Sequence, residues 1–164
     1  MSDVFEDRED LISHRERLFR LIEETSSLNW LLLTKRSENI RRLSPKLGQP
    51  NVWLGTSAED QKHWNLRVPI LMGIPAVVHF VSAEPLLSPI TMDELGLYPE
   101  WLIVGGESGP YARPMRAEWA RSLRDQAIAN GVAFHFKQWG GVNKRATGRI
   151  LDGRTWDEFP NEKQ

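Results

Sequence analysis

Five short apolar runs recur along the chain, and each is followed directly by polar residues. Each run is apolar at consecutive positions instead of alternate ones, which is typical of strands that are covered on both faces, as in a parallel sheet. We therefore predict strands at residues 29–34, 52–56, 76–81, 101–104 and 132–136.

Segments with helical periodicity separate these runs. Apolar residues from Arg8 to Thr25 recur at spacings of three and four, with Ser2 or Asp3 as the expected N-cap. Strands about 25 residues apart, most of them followed by a helix, predict repeated right-handed βαβ units and an α/β fold with a parallel sheet. The predicted helices span residues 8–25, 38–47, 61–72 and 117–130.

The length of 164 residues fits one domain. We predict that residues 1–141 form this α/β domain. Residues 142–164 are rich in Gly and in charged side chains, which predicts a C-terminal loop or short hairpin with a frayed end.

The polar residues after the strands share one predicted location. Loops and helix N-termini converge at the carboxyl ends of parallel strands, and ligand sites of such folds lie there. The opposite edge carries only turns such as Gln49-Pro50 and Gly73-Ile-Pro75. The candidate ligand-binding residues are therefore Lys35, Arg36, Ser57, Glu59, Ser82, Glu84, Gly105, Gly106, Glu107, Lys137 and Trp139.

Several of these residues have a second interpretation. Ser57, Glu59 or Asp60 could cap the following helix instead of binding a ligand. Glu84 precedes Pro85, which disfavours helical geometry, so we expect its carboxylate to project from a strand end. Whether that carboxylate faces a pocket stays open at this point.

The strongest local motif is a glycine-rich loop, Gly105-Gly-Glu-Ser-Gly109. Its first two glycines allow the backbone to approach a ligand closely, although a structural turn would also use one glycine. Lys35, Arg36 and Lys137 could hold a carboxylate or phosphate, or could be solvated. Trp139 could stack on a planar ligand, whereas most of the seven Trp are expected in the core.

Composition narrows the possible chemistry. The chain has no Cys, which excludes disulfides, thiolate nucleophiles, Cys-ligated zinc and a self-ligated iron–sulfur cluster. The four His show no H-x-x-x-H or H-E-x-x-H pairing, so no metal site is expected. A net charge of -1 gives no overall attraction to nucleic acid, although the chain is locally basic from Lys137 onward.

The distribution of apolar and charged residues also shows no targeting signal. No apolar run approaches the roughly 20 residues that cross a bilayer. The acidic start at Met1 lacks the basic and apolar regions of a signal peptide. We therefore expect a cytoplasmic protein that makes no membrane contact.

A series of motifs resembles a known family. It includes Phe80-Val-Ser-Ala-Glu-Pro-Leu-Leu87 and Ile103-Val-Gly-Gly-Glu-Ser-Gly-Pro110, with further matches at residues 1–5, 33–36, 51–60, 113–115 and 136–140. In this order, the motifs resemble the bacteriophage-associated uncharacterised family DUF5131, which is related to radical S-adenosylmethionine enzymes. The resemblance implies a partial (β/α) barrel with about five parallel strands and flanking helices, and a cofactor held at the carboxyl ends of the strands.

The resemblance also implies what this chain lacks. Members of the family carry, upstream of the stretch that begins here at Met1, a segment with clustered cysteines that look like iron–sulfur ligands. Without a cluster there is no electron source for reductive cleavage of S-adenosylmethionine, so radical turnover by this chain alone is not expected. Binding of S-adenosylmethionine stays open. Because so few strands cannot close a barrel, we expect an exposed apolar sheet edge, available to a protein partner or to self-association.

Hypotheses for the function follow from this comparison. The first is a phage-type protein without a cluster that binds a macromolecular partner, as an inhibitor of a host defence system such as CRISPR would. The alternative is half of a radical S-adenosylmethionine-like enzyme that modifies a nucleic acid or nucleotide, with its iron–sulfur segment missing or supplied separately. A third option is a hydrolase that uses two of Glu59, Glu84 and Glu107 as acid and base.

Overall fold

A parallel five-stranded sheet forms the centre of the molecule, in strand order β1-β2-β3-β4-β5. The computed structural model describes residues 3–160, apart from the side chains of residues 144 and 145. Each predicted strand is confirmed to within a few residues. The strands are β1 (Trp30–Thr34), β2 (Val52–Ser57), β3 (Val78–Ala83), β4 (Trp101–Gly105) and β5 (Ala133–Gln138).

The longer helices follow the sequence prediction closely, and the shorter ones do not. The predicted helix over 38–47 is wrong in its extent, because the helical geometry ends at Leu43. Ser44 is extended and precedes Pro45, whose ring disfavours a helical residue before it. The helices are α1 (Ile12–Glu24), α2 (Ile40–Leu43), α3 (Gln61–Met72), α4 (Ala117–Ala129) and α5 (Lys144–Thr147).

Asp3 does not cap the first helix, which is a second correction to the sequence prediction. A 3-10 turn that leads into α1 starts at Glu9, after the extended residue Arg8. The carboxylate of Asp3 instead accepts hydrogen bonds from Thr34 Oγ1 at 2.7 Å and from the backbone N–H of Lys35 at 2.9 Å. The N-terminal segment is thereby attached to the end of β1. Ser2, the other predicted cap, lies outside the described residues.

The two faces of the sheet have different partners. On one face, apolar side chains of every strand pack against the helices, from Leu32 on β1 to Phe134 on β5. On the opposite face, which we call the open face, Trp53, Phe80 and Trp101 form a separate aromatic cluster without helix residues. Sequential strand order with helices on one face is the arrangement of a (β/α) barrel that is not closed. The predicted partial barrel is therefore confirmed as an open, parallel α/β sheet.

The C-terminal segment covers the β5 edge of this sheet. Phe136 N–H donates to the carbonyl of Trp156 at 2.9 Å, and Glu158 N–H donates to the carbonyl of Phe134 at 3.2 Å, in antiparallel orientation. Leu151 of the same segment is fully buried and belongs to the helix-side core. Residues 156–158 thus lie along β5, whereas residues 161–164, at the end of the predicted C-terminal loop or short hairpin, lie outside the described residues.

The opposite edge of the sheet has no such cover. Among residues 3–160, β1 pairs with β2 alone. Its side chains Leu31 and Leu33, on the open face, are 45% and 44% exposed. The two edges of the partial barrel therefore differ, and only the β1 edge leaves a strand without a second neighbour.

A membrane-spanning helix is not found in the described part of the chain, because no helix there combines the necessary length with sufficient apolar character.

Candidate functional site

Six of the predicted ligand-binding residues gather at the carboxyl ends of the strands, and we call this group the rim. Consecutive side chains of a strand point to opposite faces, so residues two apart share a face. This alternation places Ser57 of β2 beside Ser82 of β3, which is its register partner. The rim consists of Lys35, Ser57, Glu59, Ser82, Glu84 and Lys137.

Glu59 is the most buried carboxylate of the rim, with 6% of the residue exposed. It forms an ion pair with Lys35 Nζ, and its Oε2 atom lies 3.0 Å from Arg67 Nη1. Burial would raise the pKa of Glu59. The hydrogen bonds from Lys35 and from its own backbone, together with the charges of Lys35 and Arg67, outweigh burial and hold that pKa below its ordinary value.

Glu84 forms the second charged group of the rim. Its Oε2 atom lies 3.2 Å from Lys137 Nζ and 3.4 Å from Gln138 Nε2. The hydroxyl of Ser82 donates to Glu84 Oε1 at 3.3 Å. As expected, the Glu84 carboxylate projects from a strand end, where it is bound by a cation and two neutral donors.

Asp60, and not Ser57 or Glu59, caps the helix that follows β2. Its carboxylate accepts a hydrogen bond from the backbone N–H of His63 at 2.8 Å, at the first turn of α3. The three residues were alternatives for the same role on sequence grounds. The structure separates them, because Ser57 and Glu59 belong to the rim and Asp60 to the helix end.

The glycine-rich loop after β4 packs closely against its neighbours. A Cβ atom on Gly105 would lie 2.8 Å from Glu84 Oε2, and one on Gly106 would collide with the backbone carbonyl of Trp139. Gly106 N–H also donates to the carbonyl of Gln138 at 2.9 Å. The two glycines therefore allow the loops after β4 and β5 to touch and leave space for a rim carboxylate.

Two other predicted site residues, Glu107 and Arg36, have partners outside the rim. Arg113 binds Glu107 through two side-chain hydrogen bonds of 2.7 and 2.8 Å, and its backbone N–H donates to the same carboxylate. The side-chain hydrogen bonding from Arg113, together with the hydrogen bond from its backbone N–H, lowers the pKa of Glu107 to about 2. Arg36 Nη2 lies 2.9 Å from Glu6 Oε1.

Trp139 is also separate from the rim. Its indole N–H donates to the carbonyl of Ile150 at 2.8 Å, and its ring packs edge-on against Phe136, with the ring centroids 4.8 Å apart. Phe136 belongs to the helix-side core. The ring of Trp139 therefore completes packing between β5 and the C-terminal segment.

A cleft joins the rim to the uncovered edge of β1. Its volume is about 330 Å³. A larger cavity of about 610 Å³ lies away from these residues, at the amino end of β5, between Val132 and Phe159. The cleft at the rim is lined by Asp3, Glu6, Leu33, Thr34, Lys35, Arg36 and Ser57.

Two arginine partners of the site carboxylates, Arg67 and Arg113, were not identified from the sequence. Arg67 lies on α3 at the second turn, and only folding of the helix against β2 brings its guanidinium to Glu59. Arg113 follows Glu107 by six residues in a loop, where no helical or strand spacing relates the two. Asp3 lies in the motif at residues 1–5, but no sequence pattern predicted its hydrogen bonds to Thr34 and to the backbone of Lys35.

The lowered pKa values of Glu59 and Glu107 do not suit these two carboxyls to act as general acids. An efficient general acid has a pKa near the working pH. The pKa values of Glu59 and Glu107 are lowered, and both carboxylates are held by guanidinium groups. Within the described residues, no group of three or more His, Asp or Glu side chains is placed to hold a metal ion.

The fold and the rim define a class of protein, an open (β/α) sheet with charged pairs and serines at the carboxyl ends of its strands. Residues 1–160 match the family described as "Protein of unknown function (DUF5131)", and the chain belongs to this family. Neither a curated protein nor a solved structure matches the chain.

We predict that Gly106→Ala destabilises the protein, because its Cβ would displace the loop after β5. Overpacking of this kind costs about 1–3 kcal/mol. Gly73→Ala is the matched control, since Gly73 has helical φ and its nearest neighbour would lie 3.5 Å away. Urea unfolding of both variants measures the difference. Equal midpoints would show that the loops do not pack as described.

We predict that Glu59→Gln lowers the free energy of unfolding at pH 7 by about 1–3 kcal/mol, because a charged hydrogen-bonding partner of Arg67 is lost. Folding lowers the pKa of the Glu59 carboxyl, so its ionised form stabilises the protein at pH values above the pKa of the unfolded chain. This stabilisation is lost as the pH falls through the pKa of the folded protein. The difference in the free energy of unfolding between wild type and Glu59→Gln should therefore shrink as the pH falls below 4.5, the ordinary pKa of a Glu carboxyl.

Urea unfolding at a series of pH values measures this dependence. Glu23→Gln, at an exposed position of α1, is the control and should change neither stability nor its pH dependence. A difference between wild type and Glu59→Gln that stays constant down to acid pH would contradict the ion-pair assignment.

Proposed function

We propose that this protein acts by binding a macromolecular partner, with the uncovered side of β1 as the docking surface. One observation carries the proposal. The C-terminal segment of the chain pairs with β5, whereas β1 has no second neighbour among residues 3–160 and exposes Leu31 and Leu33. The docking surface consists of the β1 edge, these two side chains and the adjoining cleft at the rim.

The composition of β1 supports this role. Proteins usually protect an exposed sheet edge with a charged side chain, a proline or a bulge. β1 has the sequence Trp-Leu-Leu-Leu-Thr and pairs with β2 in regular register, so it carries none of these features. An apolar edge of this kind gains free energy when a partner removes it from water.

The biological role we propose is inhibition of a host defence system such as CRISPR by a phage protein. The support is the resemblance of the motif series to a bacteriophage-associated family related to radical S-adenosylmethionine enzymes, together with the absence of Cys. A chain that cannot ligate a cluster itself can still occupy a surface of a defence complex. Such a role requires the protein to act in the cytoplasm.

Phage plating on cells that carry a CRISPR effector programmed against the phage tests this role. We expect the wild-type protein to restore plating to the level of cells without the effector. The double variant Leu31→Lys/Leu33→Lys should lose this effect, because it places charges on the docking surface. Glu84→Gln and Glu107→Gln should retain it, since neither carboxylate lies on that surface.

Leu66→Lys is the matched control, because Leu66 is 58% exposed on α3. It should behave as wild type. If the wild-type protein does not restore plating, inhibition of this effector is excluded. If the double variant restores plating as well as wild type does, the docking surface lies elsewhere.

A second candidate is half of a radical S-adenosylmethionine-like enzyme that modifies a nucleic acid or nucleotide, with the iron–sulfur segment supplied separately. The rim favours it, because two carboxylates, two hydroxyls and two lysines meet at the carboxyl ends of the strands. The carboxylates fit the ammonium and hydroxyl groups of S-adenosylmethionine, and the lysines fit its carboxylate. The chain itself does not fit a cluster, since it has no Cys.

Isothermal calorimetry with S-adenosylmethionine, and separately with ATP, tests the second candidate. If the rim binds S-adenosylmethionine, wild type gives measurable heat and Glu84→Gln binds at least about tenfold more weakly, a loss of about 1.4 kcal/mol. Glu118→Gln, an exposed residue on α4, serves as the control. Wild-type protein that gives no heat with either compound removes the support for this candidate.

A further inference from the structure

We propose that the partner docks by strand addition, in which an extended segment of another protein pairs with the backbone of β1 as a sixth strand. This inference rests on the proposed function and specifies the chemistry of the partner. It makes Leu31 and Leu33 contribute to binding through their backbone groups as well as through their side chains.

The backbone direction of β1 follows from its bond to β2. Trp30 N–H donates to the carbonyl of Asn51 at 2.8 Å, so Trp30 directs its backbone groups toward β2. Consecutive residues of a strand direct these groups to opposite sides. Leu31 and Leu33 therefore direct their N–H and C=O groups to the uncovered edge.

The contact at Lys35 agrees with this direction and limits the available stretch. Lys35 is two residues beyond Leu33, and its N–H donates to the Asp3 carboxylate at 2.9 Å, on the side away from β2. Asp3 thus occupies the edge where β1 ends. The available stretch before it is short, with Leu31 and Leu33 at its centre.

The opposite edge shows that this sheet accepts an added segment. Residues near Trp156 are extended beside β5 and exchange backbone hydrogen bonds with Phe134 and Phe136. The chain uses its own segment there. At β1 the same kind of backbone edge is present, but no segment among residues 3–160 pairs with it.

Two features define the chemistry of the partner segment. On the open face its side chains would lie beside Leu31 and Leu33, which are exposed and apolar, so every second residue should be apolar. The edge is short and is closed at one end by Asp3. A second copy would bring the residues around its own Asp3 against the start of β1. A narrow extended peptide therefore fits such an edge better.

Peptide selection tests the inference with a defined probe, a library of random peptides displayed on phage particles. Wild-type protein should enrich peptides with apolar residues at alternate positions. Leu33→Pro removes an N–H that points to the edge and leaves the bonds to β2 intact, so it should bind an enriched peptide at least about tenfold more weakly. Leu66→Lys should bind it as wild type does.

Hydrogen exchange of wild-type protein gives a second measurement that needs no variant. The amides of Leu31 and Leu33 should exchange more slowly when the enriched peptide is bound, whereas the amide of Leu32, which points to β2, should be protected in both states. Unchanged exchange at Leu31 and Leu33 would overturn strand addition.

The outcomes separate the mode of binding from the proposed function. If Leu33→Pro binds the peptide normally and Leu31→Lys/Leu33→Lys does not, the surface binds a partner but not by strand addition. If no peptide with alternating apolar residues is enriched, strand addition fails. If wild type sediments as a dimer that Leu33→Pro dissociates, the added strand comes from a second copy, and the proposal of a separate partner is overturned.

Discussion

Parallel pairing of all the strands is the constraint on which the rest of the structure depends. Parallel neighbours cannot be joined by a tight hairpin, so each connection must cross back over a face of the sheet. Here the crossovers place the helices on one face and bring every strand end to the same edge. The rim and the open face both result from this, although their residues are distant in sequence.

The ion pairs of the rim are a consequence of that convergence. Lys35 follows β1 and Glu59 follows β2, while Glu84 follows β3 and Lys137 lies near the end of β5. Each carboxylate is paired with a cation from another strand end, so the rim is nearly neutral as a group. A ligand of such a surface would be selected by the geometry of its donors and acceptors more than by net charge.

The sequence was sufficient for the strands and for the location of the rim, because both depend on local patterns. Continuous apolar runs identify buried parallel strands, and polar residues directly after them must lie at the carboxyl edge. The partners were not predictable in the same way. Arg67 and Arg113 reach their carboxylates through the packing of a helix and the course of a loop. The predicted helix after β1 extends too far, because its end was placed at Gly48 and Pro50 although Pro45 already disfavours helical geometry at Ser44.

The cover on β5 has a consequence for the order in which the molecule is made. Residues 133–138 are synthesised before the residues near Trp156 that pair with them. Without that segment β5 lacks its antiparallel neighbour, and among the residues that the structure describes both borders of the sheet would then be open. A stop codon shortly before Leu151 would remove the residues that pair with β5 and make the exposure of both borders permanent.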